Sequence, residues 1–237
     1  MNPLPMPAQE FAPGLLIQHI TPPLRLSAFK AIAFDMDSTL ISIECIDEIA
    51  DAVGKKAEVA AITEAAMRGE ITDFKDSLRR RVALLKGVPA EALQEVYDQR
   101  LKINPGAPEL INAAKAAGLH TLLVSGGFTF FADRVRDRLG MHEAHSNTLE
   151  IEGGLLTGQV LGDIVDGEAK KQHLLRLCAR LGCDPKQSIA VGDGANDLLM
   201  MGVSGLSVAY HAKPKVREQA MVAINEGGLD RVLELMA

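Results

Sequence analysis

The sequence predicts an α/β protein, a doubly wound parallel sheet carrying a small inserted helical domain and a β-hairpin. Three observations lead there. Four short apolar runs, Ala31–Phe34, Thr121–Val124, Ser188–Val191 and Leu206–Ala209, have the length and composition of buried strands, and helical patterns separate them. Between the first run and the second lies a long stretch of helical periodicity with no strand in it. Each of the first three runs also leads straight into reactive groups: Phe34 into Asp35, Val124 into Ser125-Gly126-Gly127, and Val191 into Gly192-Asp193-Gly194. Ligands of open α/β sheets bind beyond the carboxyl ends of the strands, so these three ends point to one crevice.

The elements follow in order. Residues 1–29 form an N-terminal arm in which Pro3, Pro5, Pro7, Pro13, Pro22 and Pro23 interrupt any long element, so a poorly regular segment is expected. No basic residue precedes Arg25, and the longest apolar run there, Gly14–Ile17, is too short for a secretory leader. The α/β core is expected over residues 30–44 and 105–237. Residues 45–104, ending at Pro105-Gly106, read as a helical cap over whatever the first strand presents. Gly118 and Gly205 stand where helices hand over to strands. From Asn147 to Leu161 the pattern alternates around Gly153-Gly154, as in a β-hairpin.

With 237 residues, the chain has room for one good-sized domain or a core plus a small insertion, and its 47% hydrophobic content supplies a substantial core. A net charge of −6 argues against nucleic acid or an anionic membrane as partner. No stretch approaches the ~20 apolar residues that span a bilayer. Cys45, Cys178 and Cys183 lack a metal-type pairing and read as reduced thiols of a cytoplasmic protein. None of the six histidines falls in a motif, and all are expected to be surface or packing residues.

On a continuing strand Asp35 and Asp37 face opposite ways, so they cooperate only if the chain curls into a loop, which Ser38 and Thr39 permit. Alone, that pair reads better as a capping acid before the helix near Glu44. Gly192-Asp193-Gly194-Ala195-Asn196-Asp197 shifts the balance, because Asp193 ends a strand and Asp197 falls in the first turn of the next helix. A nucleotide-binding glycine loop would need glycine at Asp197. Read this way, Asp35, Asp193 and Asp197 form a hard-metal site suited to Mg²⁺. A phosphate facing these acids needs compensating donors: at ~4 Å and an effective dielectric of ~20 each like-charged pair costs about 4 kcal/mol. Ser125, Gly126 and Gly127 offer a hydroxyl and approachable amides at a helix start. Lys170 opens a helix, where the macrodipole favours an acid; Lys171 beside it is not separated from it by spacing.

Taken together, Asp35-Met36-Asp37-Ser38-Thr39, Ser125-Gly126-Gly127, Lys170 and Gly192–Asp197 resemble, in order, the four motifs of the haloacid dehalogenase-like phosphatases. The likeness runs from about Lys30 to the end, and Glu44–Ala50 and Ser77–Val82 bring it nearest to members that act on O-phosphoserine. The resemblance implies a Rossmann-like core and a Mg²⁺-dependent hydrolase of serine biosynthesis, cytoplasmic, monomeric or homodimeric. Asp35 would be the nucleophile and Asp37 the acid that protonates the departing seryl oxygen and later deprotonates water. Asp35, Asp193 and the Asp37 carbonyl would hold Mg²⁺, with Asp197 and Asn196 ordering its waters and the lysine. Ser125, Gly126 and Lys170 would hold the phosphate; the motif, not the spacing, selects Lys170. For the amino-acid end the resemblance nominates Glu44, Met67, Phe74 and Arg81, Glu44 meeting the amino group and Arg81 the carboxylate. As a first-turn helix acid Glu44 is equally well explained.

Arg81 carries an independent argument. Phe74, Leu78, Val82 and Leu85 make one apolar helix stripe; Arg81 flanks it while Arg79 and Arg80 point away. The main alternatives are the same chemistry on another small phosphorylated metabolite, such as phosphohomoserine, or phosphoryl transfer to an alcohol. A receiver-type signalling domain is opposed by the helical insertion after the first strand, and a catalytically dead binding protein by the competent residue at every catalytic position.

Overall fold

The computed structural model describes residues 8–67 and 70–237, apart from the side chains of residues 66 and 67. In chain order its elements are β1 (Gln9–Ala12), β2 (Leu15–Ile17), β3 (Ala31–Phe34), α1 (Cys45–Ala52), α2 (Lys56–Met67), α3 (Phe74–Ala83), α4 (Glu91–Gln99) and α5 (Ala107–Ala116). There follow β4 (His120–Phe128), α6 (Thr129–Leu139), β5 (Glu143–Glu152), β6 (Leu155–Leu161), α7 (Gly167–Leu181), β7 (Ser188–Gly192), α8 (Leu198–Val203), β8 (Leu206–Tyr210), α9 (Pro214–Gln219) and β9 (Val222–Ile224).

The strands lie in the order β1-β2-β9-β8-β7-β3-β4-β5-β6. From β9 to β5 all neighbours are parallel, while β1, β2 and β6 add antiparallel edges. Side-chain alternation on β3 shows why both faces are covered. Ile32 and Phe34 enter the larger core with Leu110 and Ile111 of α5 and Phe131 and Val135 of α6. Ala31 and Ala33 face the opposite way, toward Leu174 and Leu177 of α7 and Met200 of α8. Every β3 residue is buried, so this strand cannot alternate polar with apolar as a one-sided strand does. The chain leaves β3 for β4 on one side and returns to β7 on the other, which makes the carboxyl end of β3 the topological switch point.

Helices α1 to α4 stack above that end. Two segments join them to the sheet, Leu40–Ser42 and Lys102–Asn104, and the two are zipped together: Ser42 N–H donates to the Lys102 carbonyl at 3.0 Å and Asn104 N–H to the Leu40 carbonyl at 2.9 Å. The β5–β6 hairpin props the far side, with Gly87 N–H bonded to the Leu156 carbonyl and Leu156 N–H to the Val88 carbonyl, both at 2.8 Å.

Several expectations need correction. The segment from residue 8 to 29 is more regular than its prolines suggest: Pro13-Gly14 makes the turn between β1 and β2, with Gly14 at φ 70°, and β2 pairs with β9. Leu15 and Ile17 point into the core, so burial outweighs the local irregularity. Strand β9, three residues long, is too short to register as a pattern. Strand β4 continues through Ser125-Gly126-Gly127 to Phe128 instead of handing over to a helix at Ser125. The hairpin's first strand starts at Glu143, because its opening residues pair with β4 before the chain turns away into β6. Asp197 closes a 3-10 turn, Ala195–Asp197, ahead of α8.

Candidate active site

Asp35 follows β3 and keeps the ladder for one more bond, its N–H donating to the Val191 carbonyl at 3.0 Å. The chain then curls. The Met36 carbonyl accepts the amides of Thr39, Leu40 and Ile41, and Ser38 takes a left-handed φ of 56°, a conformation that costs a non-glycine residue about 1–2 kcal/mol. The curl puts Asp35 and Asp37 on one cavity, which a straight strand would prevent. Gly127 leaves room for it: a Cβ there would stand 2.9 Å from Asp37 Oδ2 and 2.8 Å from Met36 Cε.

Below the loop, Lys170 is fully buried and donates to Asp35 Oδ1 at 2.8 Å and to Asp197 Oδ1 at 2.7 Å. Burial opposes its charge, but Asp197 and Asp35 more than offset that, and the ammonium pKa is raised. Asp197 Oδ2 accepts the amides of Gly194 at 3.0 Å and Asp193 at 3.2 Å, so both of its oxygens are engaged. Asp35 also accepts the Met36 amide at 2.7 Å through Oδ1, and Asp193 Oδ1 accepts the Thr39 hydroxyl at 3.2 Å.

Carboxylate oxygens of Asp35, Asp193 and Asp197 approach within 4.8 Å of one another. With one ammonium among them, burial and then Asp35, Asp197 and Glu44 push Asp193 up to about 7. Asp197 is pushed up to about 6 by burial and Asp35, with Lys170 opposing. This surplus of hard oxygen donors over positive charge fits a divalent cation that prefers oxygen ligands. Because Asp197 is committed to Lys170 and two amides, Asp35 and Asp193 are the acids of this group better placed to ligate one.

Asp37 is different from its neighbour. Its Oδ1 is buried without a hydrogen-bond partner among the described residues. Burial first, then the charges of Glu44 and Asp35, raises its pKa well above the carboxylate range, against a contact from Cys45. Burial and neighbouring negative charge both favour the protonated form of that carboxyl.

Asp35 and Asp37 floor a cavity of about 410 Å³, within the range of small-molecule sites. Ser125, Gly126, Asp193 and Asn196 complete its core side, and Glu44, Phe74 and Arg81 its upper side. Lys170 and Asp197 lie beneath the floor and do not line it. The Ser125 Oγ accepts the Gly127 amide at 2.9 Å, which leaves its own proton to donate. Phe74 lies directly over Gly126, where a Cβ would come within 2.9 Å of its Cζ. Arg81 is half-buried, with Nε on the Ser77 carbonyl at 3.4 Å. Burial lowers its pKa while Asp47, Glu44 and Asp37 counter. Arg79 and Arg80 are exposed, as the helical stripe requires. Glu44 occupies the N-cap position of α1 but its side chain caps nothing there; it accepts the Ser38 hydroxyl at 2.7 Å and faces the cavity. Met67 ends α2, and its side chain lies outside the described residues.

Asp47, Thr63 and Lys213 also line the cavity, and no motif in the sequence marks them. Thr39, which the sequence offers only as a residue that permits the curl, also bonds Asp193. Lys213 reaches the cavity only because the loop after β8 returns beside Asp193, whose carbonyl accepts its amide at 3.3 Å. Across the site, Lys75 of α3 pairs with Asp166, the N-cap of α7, at 3.2 Å.

Residues 29–205 match the family model of the haloacid dehalogenase-like hydrolases. A protein of Polaromonas sp. named phosphoserine phosphatase is 66% identical over 235 residues, 98% of this chain and 100% of that protein. Among solved structures, a phospho-aspartyl intermediate analogue of phosphoserine phosphatase superposes with a TM-score of 0.82 at 38% identity, covering 88% of this chain and 99% of the other. A probable phosphoserine phosphatase from Vibrio cholerae gives a TM-score of 0.82 at 45% identity, covering 93% and 68%.

Proposed function

Because the chain belongs to the haloacid dehalogenase-like hydrolases, we propose that it is a phosphatase that converts O-phospho-L-serine to L-serine and phosphate by way of an aspartyl-phosphate on Asp35. The observation that carries this reading is the unequal pair in one cavity: Asp35 against a buried ammonium, and Asp37 burdened by burial and like charge. Separated acid strengths of this kind divide nucleophile from general acid.

In the first step a carboxylate oxygen of Asp35 forms a bond to phosphorus while the bond from phosphorus to the seryl oxygen breaks. Asp37 delivers its proton to that oxygen, so serine leaves neutral at its hydroxyl. In the second step Asp37, now a carboxylate, takes a proton from water as the water oxygen attacks phosphorus. The phosphorus–Asp35 bond breaks and both acids return to their starting states. Lys170 holds Asp35 in line from below and, with the Ser125 hydroxyl and the Gly126 amide, compensates the phosphoryl charge. A divalent ion, which we take to be Mg²⁺, would be held by Asp35, Asp193 and the Asp37 carbonyl, and supplies charge neutralisation at the phosphoryl oxygens when bound. Asp197 and Asn196 order the lysine and the water around that centre.

Residues 45–104 act as the cap, supplying selectivity. Glu44 receives the substrate ammonium and the Arg81 guanidinium its carboxylate, a match of fork to carboxylate, while Phe74 encloses the carbon chain. Three free cysteines suit a reducing cytoplasm, and we take the protein to act there as a monomer or homodimer. The test is a phosphatase screen over phosphorylated metabolites with Mg²⁺ and with chelator. Phosphoserine should lead the panel, and chelator should abolish turnover; a flat panel or chelator-resistant activity would refute the reading.

A further inference from the structure

Asn147 stands where β5 leaves the main sheet. It faces Phe128 of β4, and the next residue, Thr148, already pairs with Leu161 of β6. Asparagine is depleted in strands, and this one is only 1% exposed, so its amide needs partners on both ends. It has them. Its Nδ2 donates to the Gly126 carbonyl at 2.7 Å, and its Oδ1 accepts the Val165 amide at 2.8 Å. The β4–β5 register slips between Val124 and Phe128, and the Asn147 side chain serves the Gly126 carbonyl inside that slip.

Each partner belongs to a different part of the phosphate site. The Gly126 carbonyl and the Gly127 N–H share one planar peptide and point in opposite directions. Holding the carbonyl therefore aims the N–H, and that N–H is the donor on which Ser125 Oγ rests at 2.9 Å. On the other side Val165 precedes Asp166, whose carboxylate caps α7 by accepting the Ala169 amide at 2.9 Å. The Asp166 carbonyl accepts the amide of Lys170 at 2.9 Å. One side chain thus ties the Ser125–Gly127 segment to the start of the helix that presents Lys170.

We propose that Asn147 is a positioning residue for phosphoryl binding, setting the Ser125–Gly127 peptide against the Lys170 helix without touching substrate. The inference rests on the phosphatase reading but not on phosphoserine as the substrate.

Asn147→Asp keeps the shape and the acceptor for Val165 while turning an oxygen toward the Gly126 carbonyl in place of the donor. Competitive inhibition constants of inorganic phosphate and of L-serine are measured for the folded full chain, below the melting temperature of each protein, with phosphoserine and with p-nitrophenyl phosphate as substrates. The constant for phosphate is expected to weaken about tenfold, as for a lost buried hydrogen bond, and that for L-serine to stay within twofold. A folded variant with unchanged phosphate affinity, or with both affinities weakened in parallel, would overturn the proposal. A second measurement needs no variant: the Asn147 side-chain amide resonances of the wild type should shift on titration with inorganic phosphate and stay fixed with L-serine. Absence of that shift would also overturn it. A wild type idle on phosphoserine but active on p-nitrophenyl phosphate would refute the substrate assignment and leave this test readable.

Discussion

Replacing Lys170 by methionine isolates the buried charge beneath the site. The ammonium is fully buried, 2.8 Å from Asp35 Oδ1 and 2.7 Å from Asp197 Oδ1. At an effective dielectric of ~20 each contact is worth about 6 kcal/mol before desolvation. Desolvating the three charges offsets most of that gain, but removing one partner of a buried pair still costs about 3–5 kcal/mol. For a chain of this size each kilocalorie corresponds to about 2–4 °C, so Lys170→Met should melt about 6–20 °C below the wild type. Asp197, already pushed up to about 6, rises further once the ammonium is gone, and its protonation then relieves the repulsion. The deficit should therefore shrink as pH falls from 7.5 to 5.5. The assay is thermal unfolding with chelator at both pH values, with Lys171→Met as the control. Lys171 pairs with Glu168 at the surface, an interaction of at most about 1 kcal/mol. A Lys170→Met protein melting within about 3 °C of the wild type, or a deficit that grows with acid, would refute the reasoning.

Arg81→Ala should raise KM for phosphoserine about 10- to 100-fold, in keeping with loss of a charged hydrogen bond, and leave p-nitrophenyl phosphate within threefold; steady-state kinetics on both substrates reads the difference. Asp37→Asn should lower phosphoserine turnover by about 10²–10⁴, with a smaller loss in the first step for p-nitrophenyl phosphate, whose leaving group needs no acid; burst kinetics separates the steps. Asp193 contributes to the pH dependence of the metal-free protein alongside Asp197 and Asp37. Its folded pKa of about 7 lies above the unfolded value of 3.8, so the stabilising contribution of its proton is complete below pH 3.8 and lost as pH rises through 7. Chemical denaturation with chelator should show that loss, and Asp193→Asn should make it smaller.

The parts of the fold that were legible in the sequence are those whose pattern is local. Ala31–Phe34 is apolar throughout because both faces are covered, and Arg81 could be separated from Arg79 and Arg80 because helical period alone places it beside Leu78 and Val82. The two edge strands at the start of the chain were hidden because three or four residues between prolines carry no periodicity; β2 exists through its pairing with β9, some 200 residues away. Ser125-Gly126-Gly127 looked like a helix start because glycine signals a break, whereas here it marks close approach by Asp37, Met36 and Phe74. Lys213 and Asn147 were silent for another reason. A surface-type lysine and a strand asparagine acquire roles only from what the tertiary structure sets opposite them, Asp193 in one case and the Gly126 and Val165 backbone in the other.

The central claim is that phosphorus passes through Asp35. Rapid acid quench of the enzyme during turnover of ³²P-labelled phosphoserine with Mg²⁺, followed by peptide mapping, tests it most directly. The account predicts an acid-stable, hydroxylamine-labile phosphate on the peptide bearing Asp35, absent from Asp35→Asn. Label on another residue, or Mg²⁺-dependent turnover that survives in Asp35→Asn, would contradict it.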